Sequence, residues 1–525
     1  MALGRAGLAL TELRHVSPDP GFFGPPPVDP ADVQRLSRVG VVDVGSNSVR
    51  LVIFDGAARS PAYFFNEKVL CGLGRDLAET GRLSPEGKTR ALAALNRFQH
   101  IGESLGITPM LAVATAAMRV AEDGPDFQKE ILEKTGMQLR VIDGAEEARL
   151  AAQGVLLGWP EASGYVCDIG GSSMELAQVS AGEIGWRDTS PLGPLALARL
   201  ESEKAVRTRV EDHLKRLRKA MPGDPKRLYL VGGSWRAIAK IDMVRRDYPL
   251  QVLHEYRLDR DSLVETLDLI DSADPHALRK QAGISGERMA LLPMAGQVLR
   301  GLLKVLQPEE LFVSAYGLRE GLLYEEMPEA LRTADPLIES CRHAEMSSAR
   351  VPGFGTTLYR YVRSLFPDAD RARLRLIKAA SLLHDVSWRT HPDYRAEVCF
   401  DYAARANMGG LSHGERVFLG LALLHRYKNN RDGTRFDALR PLLSEQEVRD
   451  AEILGRALRF GAMLTLGGDD NIGRLDWDPA AKRLALHLSD HTQPLFGEVA
   501  EARFIALAKA LEAEVSVLAA GTLSA

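Results

Sequence analysis

Two stretches carry residue types that could do chemistry: Asp43-Val44-Gly45-Ser46-Asn47-Ser48 and Asp168-Ile169-Gly170-Gly171-Ser172-Ser173. Each sets a carboxylate ahead of a glycine turn crowded with small hydrogen-bond donors. Such a turn points successive backbone N–H groups one way and lets an anion approach closely. The serine hydroxyls and the Asn47 amide add donors. Two loops of this kind on facing lobes would make a cleft suited to a phosphate chain. A carboxylate before each loop repels phosphate by itself. Asp43 and Asp168 therefore make sense with Mg²⁺ lying between protein and ligand, and Glu175 adds a third oxygen ligand nearby. The alternative is a pair of tight turns that merely need glycine and polar residues. Duplication argues against it: aligning Asp43 with Asp168 brings Gly45 onto Gly170, Ser48 onto Ser173 and Leu51 onto Leu176 without a gap. Self-similarity of this kind implies two copies of one supersecondary unit.

The elements that must position these loops are mixed α/β. Val41 to Phe54 and Tyr165 to Val179 read as strand, loop, strand. Ser84 to Gly106 has helical periodicity and opens on Ser84-Pro85 as N-cap and first turn. Met110 to Arg119 reads as a buried strand running into a polar loop. Leu139 to Gly158 reads as a strand, a turn at Asp143-Gly144 and a helix with acids in its first turn. Leu228 to Ile241 is a strand, a Gly-Gly turn and a helix, and Leu311 to Glu325 closes the second lobe. From about Asp335 helical patterns take over, at Gly355 to Leu365, Arg371 to Leu383, Tyr394 to Asn407 and Glu415 to Leu424. Gly473 to Asp490 reads as a hairpin, followed by a helix from Glu498 to Leu518.

Composition sets outer limits. A chain of 525 residues with 45% hydrophobic and 26% charged content is ordinary globular protein, long enough for roughly three to four domains. Its net charge of −4 gives no global attraction to nucleic acid or an anionic membrane. Cys71, Cys167, Cys341 and Cys399 are scattered without metal-ligand spacing, as expected of reduced thiols in a cytoplasmic protein. Cys167, inside a strand, reads as a small buried hydrophobe. No apolar run is long enough to span a membrane. The proline- and glycine-dense start is expected to be an unstructured leader over residues 1–38.

A family resemblance rests on motifs that occur in order: DVGSNSVRL, TAAMR (Thr115 to Arg119), GAEEARL (Gly144 to Leu150), DIGGSSMEL, LVGG (Leu230 to Gly233) and YGLREGLL (Tyr316 to Leu323). The set resembles the exopolyphosphatase/guanosine pentaphosphate phosphohydrolase family of the actin-like ATPase superfamily, over about Val39 to Met327. The resemblance implies an α/β fold class. Two actin-like (ribonuclease H-like) lobes, 39–160 and 161–328, are expected to precede an α-helical HD-type domain, 335–470, and a small α+β C-terminal domain, 471–525.

Position by position, the resemblance makes Glu147 the catalytic base that orients the attacking water, with Glu146 a solvated neighbour. Gly45, Ser46, Asn47 and Ser48 become one phosphate loop and Gly170, Gly171, Ser172 and Ser173 the other. Asp168 and Glu175 match the family's metal-associated acids, with Asp43 a third candidate for Mg²⁺. Arg119 matches an arginine that grips phosphate, the alternative being a surface ion pair. Gly232 and Gly233 match the loop that holds a nucleotide in actin-like ATPases, the alternative being a plain turn. Three departures stand out. Ser172 replaces a glycine, which costs backbone freedom if that position has positive φ. Met174 replaces a threonine and removes a hydroxyl. Ala290, two residues after Arg288, stands where the family often has an aspartate.

In the helical region His384-Asp385 follows an apolar run, but the upstream histidine of a working HD metal set is missing, since His343 lies 41 residues earlier. His391, His413 and His425 read as helix-face or cap residues. The domain is expected to bind or align substrate, or to form a dimer contact. Lys204 to Ala220 and His425 to Arg435 concentrate Lys and Arg, either as solvated faces or as polyphosphate contacts. The function expected is Mg²⁺-dependent release of the terminal phosphate of inorganic polyphosphate by a cytoplasmic homodimer. The rivals are guanosine pentaphosphate hydrolysis to the tetraphosphate, an alarmone- or polyphosphate-binding regulator with little turnover, and a kinase of the same superfamily.

Overall fold

The computed structural model describes residues 38–56, 59, 61–430, 433, 434, 436–465 and 472–519. The expected leader, Arg38 aside, lies outside these residues, as does part of the basic stretch His425 to Arg435. The described residues divide into two compact units, 38–336 and 337–519.

The first unit holds two sheets built on one plan. In the first, β1 (Val39–Val44), β2 (Ser48–Phe54) and β3 (Tyr63–Leu70) form an antiparallel meander, and β4 (Met110–Ala114) and β5 (Leu139–Val141) extend it parallel to β1, in the order β3-β2-β1-β4-β5. In the second, β6 (Gly164–Ile169), β7 (Met174–Ser180) and β8 (Glu183–Ser190) repeat the meander. β9 (Arg227–Val231) and β11 (Glu310–Val313) continue it in parallel, and β10 (Tyr256–Leu258) closes the edge antiparallel to β11. Parallel neighbours need crossovers. Helices α1 (Pro85–Ser104), α2 (Ala116–Val120) and α3 (Gly124–Thr135) serve the first sheet. Helices α5 (Glu203–Ala220), α6 (Gly233–Arg245) and α7 (Gly286–Val305) serve the second. Strand β1, at the centre of the first sheet, is valine-rich and buried on both sides, as a sheet covered on both faces requires.

Helix α4 (Gly144–Gly158) is the wedge between the sheets. Its Leu150 and Leu157 pack with Val41, Val52 and Phe54 of the first sheet, while Ala148, Ala151, Ala152 and Val155 pack with Val166, Ala177 and Val231 of the second. A helix apolar nearly all round can only be buried. Helix α8 (Leu318–Glu326) follows the last strand of the second sheet but packs on the first. Leu322 and Leu323 share a cluster with Val41 and Phe54. A Cβ on Gly321 would lie 1.9 Å from the Leu150 carbonyl oxygen, and one on Gly154 2.2 Å from that of Gly317. The two helices therefore cross backbone against backbone.

The second unit is mainly helical: α9 (Pro336–Ser348), α10 (Phe354–Val362), α11 (Arg371–Leu382), α12 (Arg395–Arg405), α13 (His413–Tyr427) and α14 (Glu445–Leu464). A small sheet follows, with β12 (Arg474–Asp478) antiparallel to β13 (Arg483–His487). The helix expected from Glu498 to Leu518 is shorter. Helix α15 covers Glu498–Leu511, Glu512 stops it in a left-handed conformation, and Glu514–Leu518 forms β14, parallel to β13. The Val-Ser-Val alternation at 515–517 favours strand once the helix has been broken. Among the described residues no helix is long and apolar enough to cross a membrane.

Candidate active site

The two duplicated loops meet face to face. Gly45 N–H donates to the Ser48 carbonyl at 3.0 Å, and Gly170 N–H donates to the Ser173 carbonyl at the same distance. Across the gap, Ser46 Oγ and Ser172 Oγ lie 3.3 Å apart. A cleft of about 280 Å³ opens at this junction, and all eight loop residues proposed to bind phosphate line it. Ser172 is not at positive φ, so the glycine-to-serine departure carries no backbone penalty there.

Glu147 enters the same cleft from the first turn of the wedge helix. The helix is started by Asp143, whose side chain accepts from Glu146 N–H at 2.8 Å. Glu147 is 7% exposed, and its Oε2 has no hydrogen-bond partner. Burial, with the Glu175 and Asp168 charges adding to it, pushes its carboxyl well above the ordinary range. Arg119 Nη1 opposes that shift from 3.5 Å while donating to the Ile142 carbonyl at 2.7 Å. Arg119 thus stands beside Glu147 and is not among the residues that line the cleft. Glu146 is held by Arg149 at 2.7 Å and faces away from the cleft lining.

Of the three acids expected at a metal, Asp43 and Asp168 line the cleft. Glu175 lies behind them, 1% exposed, accepting from Thr189 Oγ1 at 3.0 Å. The strand register pairs Asp168 with Glu175, and in the other sheet Asp43 with Arg50. The duplicated hairpins therefore carry opposite charges at one equivalent position. Asp43 also has a cation of its own, Arg319 Nη1 at 3.8 Å. Burial, then the Asp43 charge, lifts Asp168 to about 6; burial, then Asp168, lifts Glu175 to about 8. Among the described residues no three His, Cys, Asp or Glu side chains are placed to hold an ion by themselves. What the site does contain is two buried carboxylate oxygens that accept no hydrogen bond, Glu147 Oε2 and Glu175 Oε2. That donor set fits a hard divalent cation whose remaining ligands are water or phosphate oxygens, held by Asp168 and Glu175. It fits less well at Asp43, which Arg319 already neutralises.

The cleft also carries five cations that sequence reasoning left unassigned: Arg50, Lys68, Arg236, Arg288 and Arg319. Against them stand Asp43, Glu147, Asp168 and Glu287, so the lining is close to neutral. A polyanion would gain from where the cations sit, not from their excess. Burial holds Arg50 down to about 10, with Arg319 adding to the effect. Arg236 is anchored through Nη1 to the Ala315 carbonyl at 2.8 Å, and Arg288 through Nη1 to Ser234 Oγ at 3.2 Å. The Gly232-Gly233 turn makes this arrangement possible. Gly232 has φ +116°, and a Cβ there would lie 2.6 Å from the Ile169 carbonyl oxygen; one on Gly233 would lie 2.5 Å from Arg288 Nη2. No aromatic side chain lines the cleft among the described residues. Arg50 had a readable signal, its place opposite Glu175 in the duplication. Arg236, Arg288 and Arg319 had none beyond the motifs around them, because their contacts span long stretches of chain.

In the helical unit, His384 and Asp385 are buried but otherwise engaged. Arg350 clamps Asp385 through Nε and Nη2, both at 2.7 Å, and His384 Nδ1 lies 2.8 Å from the Ser381 carbonyl oxygen. A guanidinium occupies the side of the carboxylate that a metal would need.

Comparison with known proteins bears on both units. The Ppx/GppA phosphatase family matches residues 52–330, and the family described as exopolyphosphatase, C-terminal, matches residues 360–518. Retrograde regulation protein 2 of Saccharomyces cerevisiae is 24% identical over 76% of this chain and 74% of its own length. Exopolyphosphatase 1 of Mycobacterium tuberculosis is 26% identical over 58% of this chain and 92% of its own. The guanosine-5'-triphosphate,3'-diphosphate pyrophosphatase of Aeromonas hydrophila is 23% identical over 81% of this chain and 87% of its own. A crystal structure of an exopolyphosphatase from Cytophaga hutchinsonii superposes with a TM-score of 0.51 at 24% identity, covering 57% of this chain and 99% of that one. This last likeness concerns the fold, and it agrees with the two-sheet actin-like architecture.

Proposed function

Because the chain belongs to the Ppx/GppA phosphatase family, we propose that it is a hydrolase of phosphoric anhydrides that releases the terminal phosphate of inorganic polyphosphate. The observation that carries this reading is the junction of the two loops, with the buried Glu147 carboxylate, whose Oε2 accepts no hydrogen bond, at its edge. The terminal phosphate sits among the N–H and hydroxyl groups of Gly45 to Ser48 and Gly170 to Ser173. Arg236, Arg288, Arg319 and Arg50 receive the phosphates behind it. Glu147 accepts a hydrogen bond from a water and aims its oxygen in line with the leaving bridge oxygen, taking the proton as the P–O bond forms. Arg119 keeps Glu147 ionised enough to act as base. Mg²⁺, held by Asp168 and Glu175, supplies charge neutralisation at the phosphoryl oxygens when bound. Asp43 serves instead to seat Arg319.

Guanosine pentaphosphate is the second reading, favoured by the length of chain shared with the Aeromonas relative. The cleft offers no aromatic face for a guanine base, which favours the inorganic chain. The proposal includes a cytoplasmic location, supported by four buried free cysteines, an HD-type ancestry for the helical region, and a homodimer that sedimentation of the full chain tests. Phosphate release from long-chain polyphosphate and from guanosine pentaphosphate, each with and without Mg²⁺, tests the function. Mg²⁺-dependent release from polyphosphate at the higher kcat/KM is expected. Release confined to the nucleotide favours the second reading, and tight binding of polyphosphate without release identifies a regulator.

A further inference from the structure

Each duplicated hairpin carries one row of facing residues, and the rows differ beyond their first member. In the first sheet the row runs Asp43, Arg50, Lys68 across β1, β2 and β3; in the second it runs Asp168, Glu175, Thr189 across β6, β7 and β8. Lys68 and Arg50 line the cleft, whereas Thr189 is half-buried and does not. Thr189 Oγ1 instead donates to Glu175 Oε1 at 3.0 Å, while Glu175 Oε2 accepts no hydrogen bond. The residue that makes this bond is held at three points. A Cβ on Gly144 would lie 2.6 Å from Thr189 Cγ2 and 2.7 Å from Thr189 Cβ, so the methyl group packs directly against the first residue of α4. Thr189 N–H donates to Asp188 Oδ1 at 2.8 Å. Arg216 of α5 ties down the strand end, Nη1 donating to Asp188 Oδ2 and Nη2 to the Thr189 carbonyl, both at 3.1 Å. One arginine of the basic stretch Lys204 to Ala220 thus braces this corner of the second sheet.

The chemistry of the third position follows from that of the second. A lysine in place of Thr189, as the duplicate row has, would pair with Glu175 and cancel the charge that a cation needs. A side chain without a donor would leave the carboxylate free to turn. A hydroxyl does neither: it bonds one oxygen and leaves the charge and the other oxygen available. Carboxylates that hold metal ions are oriented by hydrogen bonds of this kind from residues that do not touch the ion. We propose that Thr189 is a positioning residue, which orients Glu175 toward a divalent cation from a side-chain conformation that Gly144 fixes. The inference rests on the reading of Glu175 as a holder of Mg²⁺. The Ser173 hydroxyl also supports the Glu175 carboxylate; Thr189 is the donor that comes from outside the phosphate loops. Its packing on Gly144 further joins the acid of the cation to the base, because Gly144 opens the helix that carries Glu147.

The test uses Mn²⁺ alone as the probe, titrated into the full chain without substrate and followed by the electron paramagnetic resonance signal of the free ion. Thr189→Val keeps the shape and the strand preference and removes the hydroxyl. It is expected to weaken Mn²⁺ binding about 10- to 100-fold, the usual loss when such a partner is removed. Thr189→Ser keeps the donor and is expected to bind within a few fold of the unaltered chain. Melting temperatures without metal confirm that both variants are folded. Loss with valine and recovery with serine is a pattern that packing would not give, since serine is the variant that lacks the methyl group. Glu175→Gln is expected to lose the tight Mn²⁺ site altogether. Unchanged affinity in Thr189→Val beside loss in Glu175→Gln overturns the positioning role and leaves the cation site standing. Unchanged affinity in both variants overturns the cation site, and the positioning role falls with it. Binding as weak in Thr189→Ser as in Thr189→Val also overturns the proposal, because the hydroxyl then decides nothing.

Discussion

Gly321→Ala tests whether the wedge helix and α8 together set the cleft. A Cβ at this position would lie 1.9 Å from the Leu150 carbonyl oxygen, whereas real Cβ atoms essentially never come within 3.0 Å of such an atom. The clash is with helix backbone, so no rotamer relieves it, and the two helices must part by about 1.1 Å. Overpacking of this kind costs about 1–3 kcal/mol, which for a unit of this size lowers the melting temperature by roughly 2–8 °C. Function should suffer more than stability. Leu150 is one turn beyond Glu147 on α4, and Arg319 is two residues before Gly321 on α8. A displacement near 1 Å moves the base relative to Arg319, and misplacement on that scale can cost about 100-fold in rate. Gly296→Ala is the control. It lies in the interior of α7, where the nearest atom to a new Cβ is Leu267 Cδ2 at 3.4 Å. There the better helix propensity of alanine should stabilise by about 0.5–1 kcal/mol with no change in kcat. Thermal melts and polyphosphate turnover on both variants separate the effects. Unchanged kcat in Gly321→Ala, at any stability, refutes the claim that the crossing positions the site.

Two further perturbations follow from the buried acids. Arg119→Met removes the cation 3.5 Å from Glu147, so the Glu147 pKa rises further. A base must be ionised, so the acidic limb of the kcat profile moves to higher pH, and activity recovers on raising the pH; an unmoved limb contradicts the role given to Arg119. Glu175 is raised to about 8 in the folded chain from an ordinary 4.5. An acid with a raised folded pKa costs no stability below its unfolded value and costs progressively more as pH climbs from there to about 8. In the metal-free chain, Glu175→Gln should therefore raise the melting temperature at pH 8.5 and leave it nearly unchanged at pH 4.5. It should also remove most of the stabilisation that Mg²⁺ gives the unaltered chain. Equal gains at both pH values run against the burial argument.

Much of the first unit was legible in the residues because the chemistry is local. The duplicated acid-glycine-serine loops sit in duplicated hairpins with identical turn hydrogen bonds, and Gly232 is required by a positive φ that only a turn beside a strand end imposes. The opposite charges of Arg50 and Glu175 were present in the same gapless alignment. Long-range packing was less visible. Nothing in GAEEARLAAQGVLLG distinguishes a helix wedged between two sheets from one lying on a single sheet, and nothing in YGLREGLL announces a return to the first sheet. Arg119 illustrates the same gap at the level of one side chain. Its motif does not announce its contacts with Glu147 and the Ile142 carbonyl, which the fold supplies. At the other end of the chain, Glu498 to Leu518 has enough apolar residues to read as one helix. The break at Glu512 is decided by the parallel partner β13, which local periodicity does not reveal.

In the proposed reaction Glu147 activates water at the junction of the two loops. Steady-state phosphate release from polyphosphate with Mg²⁺ by Glu147→Gln, beside equilibrium binding of the same chain, tests it most directly. The substitution keeps the shape and removes the base. A fall in kcat of about 10²–10⁴-fold is expected, with polyphosphate affinity within a few fold of the unaltered chain. Turnover close to that of the unaltered chain would contradict it.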